Sequence, residues 1–240
     1  MNRNSPFSYL CNACGLCCHN KVITLSPYDV IRLARAARVS TREAIDRFTI
    51  RRGSILKFYD GGACVALEGA RCGIHRGRPL ACRLYPLGIE RIEDAHSEKF
   101  ATLEPAAGSL GIYGVDGNVD NFLAAQGVDE YLAANARYAS LLAVFRERIV
   151  ATVDFDRVEP REFWWHAVRE ALAESNYDAN PLIDAMFDAG GIAGIVETEI
   201  VTAHIERLAK MIRRESNGDM LAAAAVMLAV SLGYSPAEVQ

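Results

Sequence analysis

The chain has 240 residues, of which 51% are hydrophobic and 23% charged, and its formal net charge is −4. This slight acidic excess gives no support to a nucleic-acid-binding surface, and no uninterrupted apolar run reaches the roughly 18 residues that a membrane span needs. We therefore expect a soluble, cytoplasmic, globular protein that binds neither nucleic acid nor a membrane.

The first notable feature along the chain is the segment Cys11-Asn-Ala-Cys14-Gly-Leu-Cys17-Cys18. An odd total of seven cysteines and a polar N-terminus without a signal core argue against the disulfides of a secreted protein. A thioredoxin-like redox pair also fits poorly, because two overlapping Cys-x-x-Cys motifs share one cysteine and no βαβ unit is evident. Thiolates bind soft and borderline metals, so the pattern predicts a metal site formed by Cys11, Cys14, Cys17, Cys18, Cys64, Cys72 and Cys82.

Short elements follow the first cysteines. Ser26-Pro-Tyr-Asp29 and Ser40-Thr-Arg-Glu43 are typical helix starts, the second for a helix that runs through Phe48. Between residues 55 and 104 the pattern is shorter and strand-like, with a turn at Gly61-Gly62. Residues 87–92 and 99–103 are the predicted arms of a hairpin. Cys64 lies in an apolar run here, where an inert buried cysteine is the alternative to a ligand.

The chain after Gly117 is free of cysteine and has helical periodicity. Apolar stripes predict two helices, and further helices are expected at residues 161–174, 181–188 and 220–232. The stripes consist of Tyr138, Leu141, Leu142, Phe145 and Ile149, and of Val201, Ile205, Leu208 and Ile212. We expect a mainly α fold with a small irregular α+β cysteine-cluster region. Residues 1–110 would form a metal-binding domain that packs on a helical bundle of residues 111–240.

The cysteine pattern resembles a known family. Cys11-x2-Cys14-Gly15-x-Cys17-Cys18, then Cys64, Cys72-Gly-Ile-His75 and Arg78-Pro79-Leu-Ala-Cys82-Arg83-Leu-Tyr85-Pro86, is similar to the CxxCxxCC, or YkgJ-like, family of zinc- or iron-chelating proteins. Flagellin lysine methylases carry a similar cysteine set. The resemblance implies metal chelation, and the link to the methylases implies protein methyl transfer from S-adenosylmethionine. His75 departs from the pattern, since family members often have tyrosine there.

The number of cysteines bears on the kind of metal centre. One tetrahedral zinc or one cubane cluster takes four thiolates, so seven cysteines exceed one site and fall one short of two. We expect the adjacent side chains of Cys17 and Cys18 to diverge and to serve different metal atoms, in two sites or in one polynuclear centre. His19 or His75, a carboxylate, water or substrate could supply an eighth ligand.

Four arginines without an acidic neighbour lie between positions 71 and 83. Guanidinium groups would offset the negative charge of clustered thiolates and donate hydrogen bonds to sulfur. Arg78 and Arg83 flank Pro79 and Cys82, so these two, with His75, are predicted to lie at the bound cofactor. Holding an anionic substrate group is the alternative role for both arginines, and a solvated surface position is the alternative for Arg71 and Arg76.

Three classes of function remain open from the sequence. The first, which we favour, is an iron–sulfur protein with seven cysteine ligands and an unassigned activity. The second is a methyltransferase-like enzyme that uses S-adenosylmethionine outside a Rossmann fold, because the sequence contains no dinucleotide-binding motif. The third is a structural zinc module that presents its helices to a protein partner.

Overall fold

The computed structural model describes residues 1–91, 98–173 and 194–234. These residues contain eight α-helices: α1 Pro27–Ala37, α2 Thr41–Phe48, α3 Leu80–Leu84, α4 Val119–Gln126, α5 Val128–Thr152, α6 Pro160–Leu172, α7 Glu197–Arg214 and α8 Gly218–Ser231. They also contain eight short strands: β1 Pro6–Leu10, β2 Thr49–Ile50, β3 Ile55–Leu56, β4 Leu67–Glu68, β5 Arg71–Cys72, β6 Leu87–Arg91, β7 Glu98–Thr102 and β8 Ile112–Asn118. The predicted mainly α fold with a small irregular strand region is confirmed.

The predicted helix starts at Ser26 and Ser40 are both observed. Ser26 and Asp29 form a capping box at α1, in which each side chain accepts a hydrogen bond from the backbone N–H of the other residue. The Ser40 hydroxyl accepts a hydrogen bond from the N–H of Glu43 at the start of α2. Both helices bury one face, and α1 buries the more apolar one, with Ile31 and Leu33 fully enclosed.

The strands form four two-stranded antiparallel pairs, β1–β8, β2–β3, β4–β5 and β6–β7. The predicted hairpin arms correspond to β6 and β7, which pair from Leu87 opposite Thr102 to Arg91 opposite Glu98. The predicted glycine turn is also present, closed by a hydrogen bond from the N–H of Gly62 to the carbonyl of Tyr59. Sequence analysis did not predict the β1–β8 pair, which joins the N-terminus to a strand about a hundred residues later.

The helices after residue 118 pack around α8, which is buried continuously from Leu221 to Ala229 and contacts α5 and α6. The predicted apolar stripes lie on α5 and α7, and the helices expected at 161–174 and 220–232 correspond to α6 and α8. The expected helix at 181–188 lies outside the described residues. No helix of the described chain is long and apolar enough to cross a membrane.

The described residues form two apolar cores, and each core contains residues from both sides of position 110. The larger core joins α1 to α5, α7 and α8 and includes Cys64, with Cys18 and Cys72 packed against it. The smaller core joins Phe7, Leu87 and Phe100 to α4 and to Val128 at the start of α5. The cysteine-rich region therefore packs directly on the helices, while the division into domains at residue 110 stays a prediction.

Candidate metal centre

Three separated segments place five cysteines near one another. Cys17 and Cys18 lie in a 3-10 helix, Leu16–Cys18, which begins after Gly15 in a left-handed conformation (φ 74°). The backbone N–H of Cys64 donates to the carbonyl of Cys18 at 2.9 Å and fixes the second segment against the first. Cys72 lies on β5 and Cys82 on α3, and they form the third segment.

The charges of these five thiols interact electrostatically. Ionisation of Cys82 is disfavoured by Cys72, Cys64 and Cys17, and ionisation of Cys18 by Cys17, Cys82 and Cys72. Because electrostatic interactions weaken with distance, these pairings place the five thiols in one part of the fold. We call the five residues the interior thiol group: Cys17, Cys18, Cys64, Cys72 and Cys82.

Cys17 and Cys18 do not diverge as the sequence analysis expected. Their Sγ atoms lie 3.8 Å apart. Two thiolates that bind one tetrahedral ion at about 2.3 Å are separated by about 3.8 Å, so this spacing suits two ligands of the same metal atom. The expected divergence was wrong because the 3-10 helix brings the two sulfur atoms together, while the assignment of the two thiols to metal atoms stays a prediction.

The pKa values of Cys17 and Cys18 are shifted in opposite directions. A hydrogen bond from Cys18 lowers the pKa of Cys17 to about 6, with further help from Lys21 and His19. The same hydrogen bond, followed by burial, raises the pKa of Cys18 above its usual range. Burial also raises the pKa values of Cys64, Cys72 and Cys82. Without metal the group therefore carries one thiolate at neutral pH, and metal binding must displace protons from the other ligands.

Arg83 is buried, with 7% of its surface exposed, and its guanidinium binds backbone carbonyls. Its donors reach the carbonyls of Arg76 at 2.6 Å and Arg78 at 3.1 Å, and also that of Gln126. Tyr131 packs its ring 4.7 Å from the same guanidinium. Arg83 therefore ties the loop before α3 to the end of α4, with its hydrogen bonds directed at the protein backbone.

Arg78 interacts with the thiols through its charge. Its charge favours ionisation of Cys72, and the charges of Cys82 and Cys72 in turn act on Arg78. Its guanidinium donates to the carbonyl of His75 at 2.8 Å and to the side chain of Gln126. Most of His75 is exposed, but partial burial of its ring, followed by the charges of Arg78 and Arg83, lowers its pKa. Arg71 and Arg76 are exposed.

Sequence analysis missed the role of Asp29, which it treated only as a helix cap. The carboxylate is 2% exposed and accepts a hydrogen bond at 2.8 Å from the N–H of Leu80, the first residue of α3. Its other oxygen accepts hydrogen bonds from the N–H and the hydroxyl of Ser26, both at 2.8 Å. Asp29 thereby fixes the helix that carries Cys82 to the start of α1.

Cys11 and Cys14 precede the interior thiol group in the chain, and the charge of Cys14 also interacts with that of Cys17. Cys11 is exposed and Cys14 half-buried, in a turn that precedes the 3-10 helix. Cys14 accepts hydrogen bonds from the backbone N–H groups of Leu110 and Leu16, and these, ahead of a bond from Ser109, lower its pKa. His19 directs its Nδ1 to the carbonyl of Gly15, 3.1 Å away. We call Cys11 and Cys14 the outer pair, because they lie in the turn before the 3-10 helix.

Comparison with known proteins identifies this region. Residues 10–104 match the model of the CxxCxxCC family, described as a "putative zinc- or iron-chelating domain". Residues 10–104 are therefore similar to the CxxCxxCC domain, and we use this name for the segment below. An uncharacterized protein of Methanocaldococcus jannaschii is 30% identical over 87 residues, which cover 35% of this chain and 47% of the relative. The match thus spans about half the length of that relative, and no solved structure matches the chain.

The donor chemistry of the CxxCxxCC domain suits a thiophilic metal. The interior group offers five soft sulfur ligands, and Arg78 supplies a nearby positive charge. In the part of the chain that the structure describes, no three histidine, cysteine, aspartate or glutamate side chains already form a group that could hold an ion. Binding would therefore have to draw a third and a fourth thiol toward the Cys17–Cys18 pair.

A cavity of about 750 Å³ lies on the helical side of the molecule, between α1, α5 and the start of α7. Its charged side chains pair largely with one another. Arg32 contacts Glu130 at 3.1 Å and Glu197 at 3.0 Å, and Tyr28 donates to Glu197 at 2.6 Å. The ring of Tyr131 lies between the guanidinium groups of Arg32 and Arg83, so one aromatic side chain connects this cavity with the CxxCxxCC domain.

Proposed function

We propose that the CxxCxxCC domain binds an iron–sulfur centre through the interior thiol group. The supporting observation is the convergence of five thiols from three segments, with two sulfur atoms 3.8 Å apart. A cubane cluster takes one thiolate at each iron, whereas a two-iron cluster takes two thiolates at each iron. The spacing of Cys17 and Cys18 therefore favours a two-iron centre, for which Cys64, Cys72 and Cys82 offer the remaining ligands.

A structural zinc ion is the second candidate, and the same 3.8 Å spacing supports it. Four thiolates from the group would complete a tetrahedral zinc site, and one cysteine would remain. This ion would stabilise the fold and leave the helices to contact a protein partner. The two candidates differ in inorganic sulfide, which only the iron–sulfur centre contains.

Anaerobic purification with iron supplied during expression tests the proposal. We expect about two iron atoms and two acid-labile sulfides per chain, together with a visible absorption band from sulfur-to-iron charge transfer. A colourless protein with stoichiometric zinc and no sulfide would reject the iron–sulfur centre in favour of structural zinc.

The alternative of methyl transfer from S-adenosylmethionine is supported only by the resemblance to the flagellin lysine methylases. The cavity between α1, α5 and α7 has room for a small ligand, but its glutamates already pair with arginine and tyrosine side chains. If the chain is a methyltransferase-like enzyme, S-adenosylmethionine binds the metallated protein in a calorimetric titration. Absence of binding heat in both the metallated and the metal-free protein would reject the enzymatic alternative.

A further inference from the structure

We infer that the cavity between α1, α5 and the start of α7 binds a small organic anion, that is, a molecule with a carboxylate or phosphate group and an apolar body. The inference goes beyond the proposed iron–sulfur centre, because it concerns the helical side of the molecule and requires no metal. Three features of the cavity lead to it: its size, the excess of arginine on its walls, and the apolar side chains beside its charged groups.

The cavity has the size of a small-molecule site. Its volume of about 750 Å³ lies within the roughly 300–1,000 Å³ of known ligand pockets. Arg32 comes from α1, Arg137 from α5 and Val201 from α7, so three separate helices form its walls. Side chains on helices are held more precisely than side chains on loops. The walls therefore offer fixed positions to a ligand.

Positive charge exceeds negative charge on the described walls. Three arginines and two glutamates line the cavity: Arg32, Arg35, Arg137, Glu130 and Glu197. Glu197 lies 3.0 Å from Arg32 and 3.4 Å from Arg35, so one carboxylate faces two guanidinium groups. The side chain of Glu130 is 66% exposed, and solvent weakens the effect of its charge. A bound anion would balance the remaining positive charge.

Arg137 has no carboxylate partner within the described part of the chain. Its guanidinium donates to the carbonyl of Thr198 at 3.3 Å and to the hydroxyl of Thr202 at 2.5 Å. These neutral acceptors orient the group and leave its charge unbalanced. A guanidinium has five N–H donors in a planar arrangement that matches the oxygens of a carboxylate or phosphate. We therefore expect Arg137 to bind the anionic group of the ligand.

Glu197 shows how these walls hold a carboxylate. One of its oxygens accepts hydrogen bonds from the hydroxyl of Tyr28 at 2.6 Å and from Arg32 at 3.0 Å. The protein thus already places one carboxylate of its own among its arginines. Removing the charge of Glu197 would leave Arg32 and Arg35 to attract a ligand, so this residue should limit the affinity for anions.

The apolar side chains of the cavity indicate the other part of the ligand. Ile195 and Val196, at the start of α7, are 45% and 57% exposed. Ala134 and Val201 line the same cavity and are buried. Apolar side chains combined with a few placed charges are typical of sites for small organic molecules. The ligand should therefore contact these side chains with an apolar body while its oxygens meet Arg137.

The test uses the full chain with its own metal centre and three probes in a calorimetric titration at low salt. The probes 1-naphthyl phosphate and 1-naphthoate share an apolar body and differ in the oxyanion, whereas 1-naphthol is uncharged at pH 7. We expect at least one of the two anions to bind with one site per chain, and 1-naphthol to give no binding heat. The stronger of the two anions identifies the oxyanion, and added salt should weaken its binding.

Two variants should change the affinity for that anion in opposite directions. Arg137→Ala should weaken binding at least about tenfold, which corresponds to 1.4 kcal/mol. Glu197→Gln should strengthen binding at least about threefold, because it frees the charges of Arg32 and Arg35. General damage to the fold would weaken binding in both variants. Arg146→Ala is the matched control, since Arg146 is exposed on the opposite face of α5, about 13 Å further along the helix, and should bind like the parent.

Absence of binding of both anions to the parent protein would overturn the inference. Equal affinity for 1-naphthol, or an unchanged affinity in Arg137→Ala, would overturn it as well. Circular dichroism checks that each variant folds. If Arg137→Ala does not fold, Glu197→Gln decides, and an affinity equal to or below that of the parent would then reject the inference. Iron and sulfide contents do not enter this result, so it stays valid if the proposed function fails.

Discussion

At the scale of single residues, hydrogen bonding between adjacent cysteines determines which thiol is ionised before metal arrives. Cys17 has a lowered pKa and Cys18 a raised one, because the thiol of Cys18 donates a hydrogen bond to the sulfur of Cys17. Sequence analysis identified both residues as ligands, but it could not foresee their 3.8 Å contact. That contact depends on the 3-10 helix, whose backbone conformation is set by the chain around it.

This difference predicts selective alkylation of the metal-free protein. Because the thiolate is the nucleophile and the pKa of Cys17 is about 6, iodoacetamide at pH 7 should modify Cys17 before the other thiols of the interior group, with a half-maximal rate near pH 6. Mass spectrometry of quenched samples measures the rates. Cys18→Ala should shift the midpoint upward, whereas Cys11→Ala should not. A rate for Cys17 that still rises between pH 8 and 9 would show that the thiol has ordinary acidity.

Because Arg83 binds backbone carbonyls, its substitution should lower the stability of the fold, an effect that is separate from metal content. Arg83→Ala would remove the donors to the carbonyls of Arg76, Arg78 and Gln126, and we expect the free energy of unfolding to fall by about 3 kcal/mol. Arg83→Lys should also destabilise, because one ammonium cannot reach three carbonyls in a fixed arrangement. Chemical denaturation measures the effect, and the exposed Arg71→Ala is the control. Equal stability of the Arg83 and Arg71 variants would refute the structural role.

At the scale of elements, local signals in the sequence predicted the helices well and the strand pairing less well. Ser26 and Ser40 mark α1 and α2 through side-chain caps, which depend only on residues three positions away. The β6–β7 hairpin was also predictable, since its strands are close in sequence. The β1–β8 pair was not, because no local pattern specifies a partner a hundred residues away.

Asp29 belongs to this scale because it connects α1 with α3. Asp29→Ala removes one of the two side chains of the capping box at α1 and the acceptor for the N–H of Leu80 in α3, so we expect a loss of about 2 kcal/mol in unfolding free energy. Glu43→Ala is the matched control, since Glu43 occupies the same position in α2 and is exposed. If both variants lose the same stability, the link to α3 contributes nothing.

The raised pKa of Asp29 also predicts that the stability of the protein depends on pH. Burial raises the pKa of Asp29 above its value in the unfolded chain, so the folded state binds the proton more tightly. Its contribution to stability is therefore full below the unfolded pKa and is lost as pH rises through the folded pKa. Relative to Asp29→Asn, the parent protein should lose stability from about pH 4 upward. A constant difference between the two proteins from pH 4 to 7 would contradict the raised pKa.

At the scale of the whole molecule, the apolar cores do not separate the cysteine-rich region from the helices. Cys64 belongs to the same core as α5 and α8, and Cys18 and Cys72 pack against it. The sequence revealed which residues are apolar and which are candidate ligands. It could not reveal that they share one core, because this depends on packing between elements distant in sequence. Metal binding is therefore expected to stabilise the helices as well as the thiols.

Removal of the metal should accordingly lower the melting temperature of the entire protein. Because one core spans both parts, near-ultraviolet and far-ultraviolet circular dichroism should show coincident transitions in the metal-bound protein and again, at lower temperature, in the metal-free protein. Two separate transitions, with the helical signal unchanged by chelation, would show that the regions unfold independently.

The most direct measurement for the central claim is the iron and acid-labile sulfide content of two double variants, prepared anaerobically beside the parent protein. The claim is that the interior thiol group, and not the outer pair, holds the metal centre. We predict that Cys17→Ser, Cys18→Ser loses both iron and sulfide, while Cys11→Ser, Cys14→Ser retains the content of the parent. Retention of iron and sulfide by the first variant, or their loss from the second, would contradict the account.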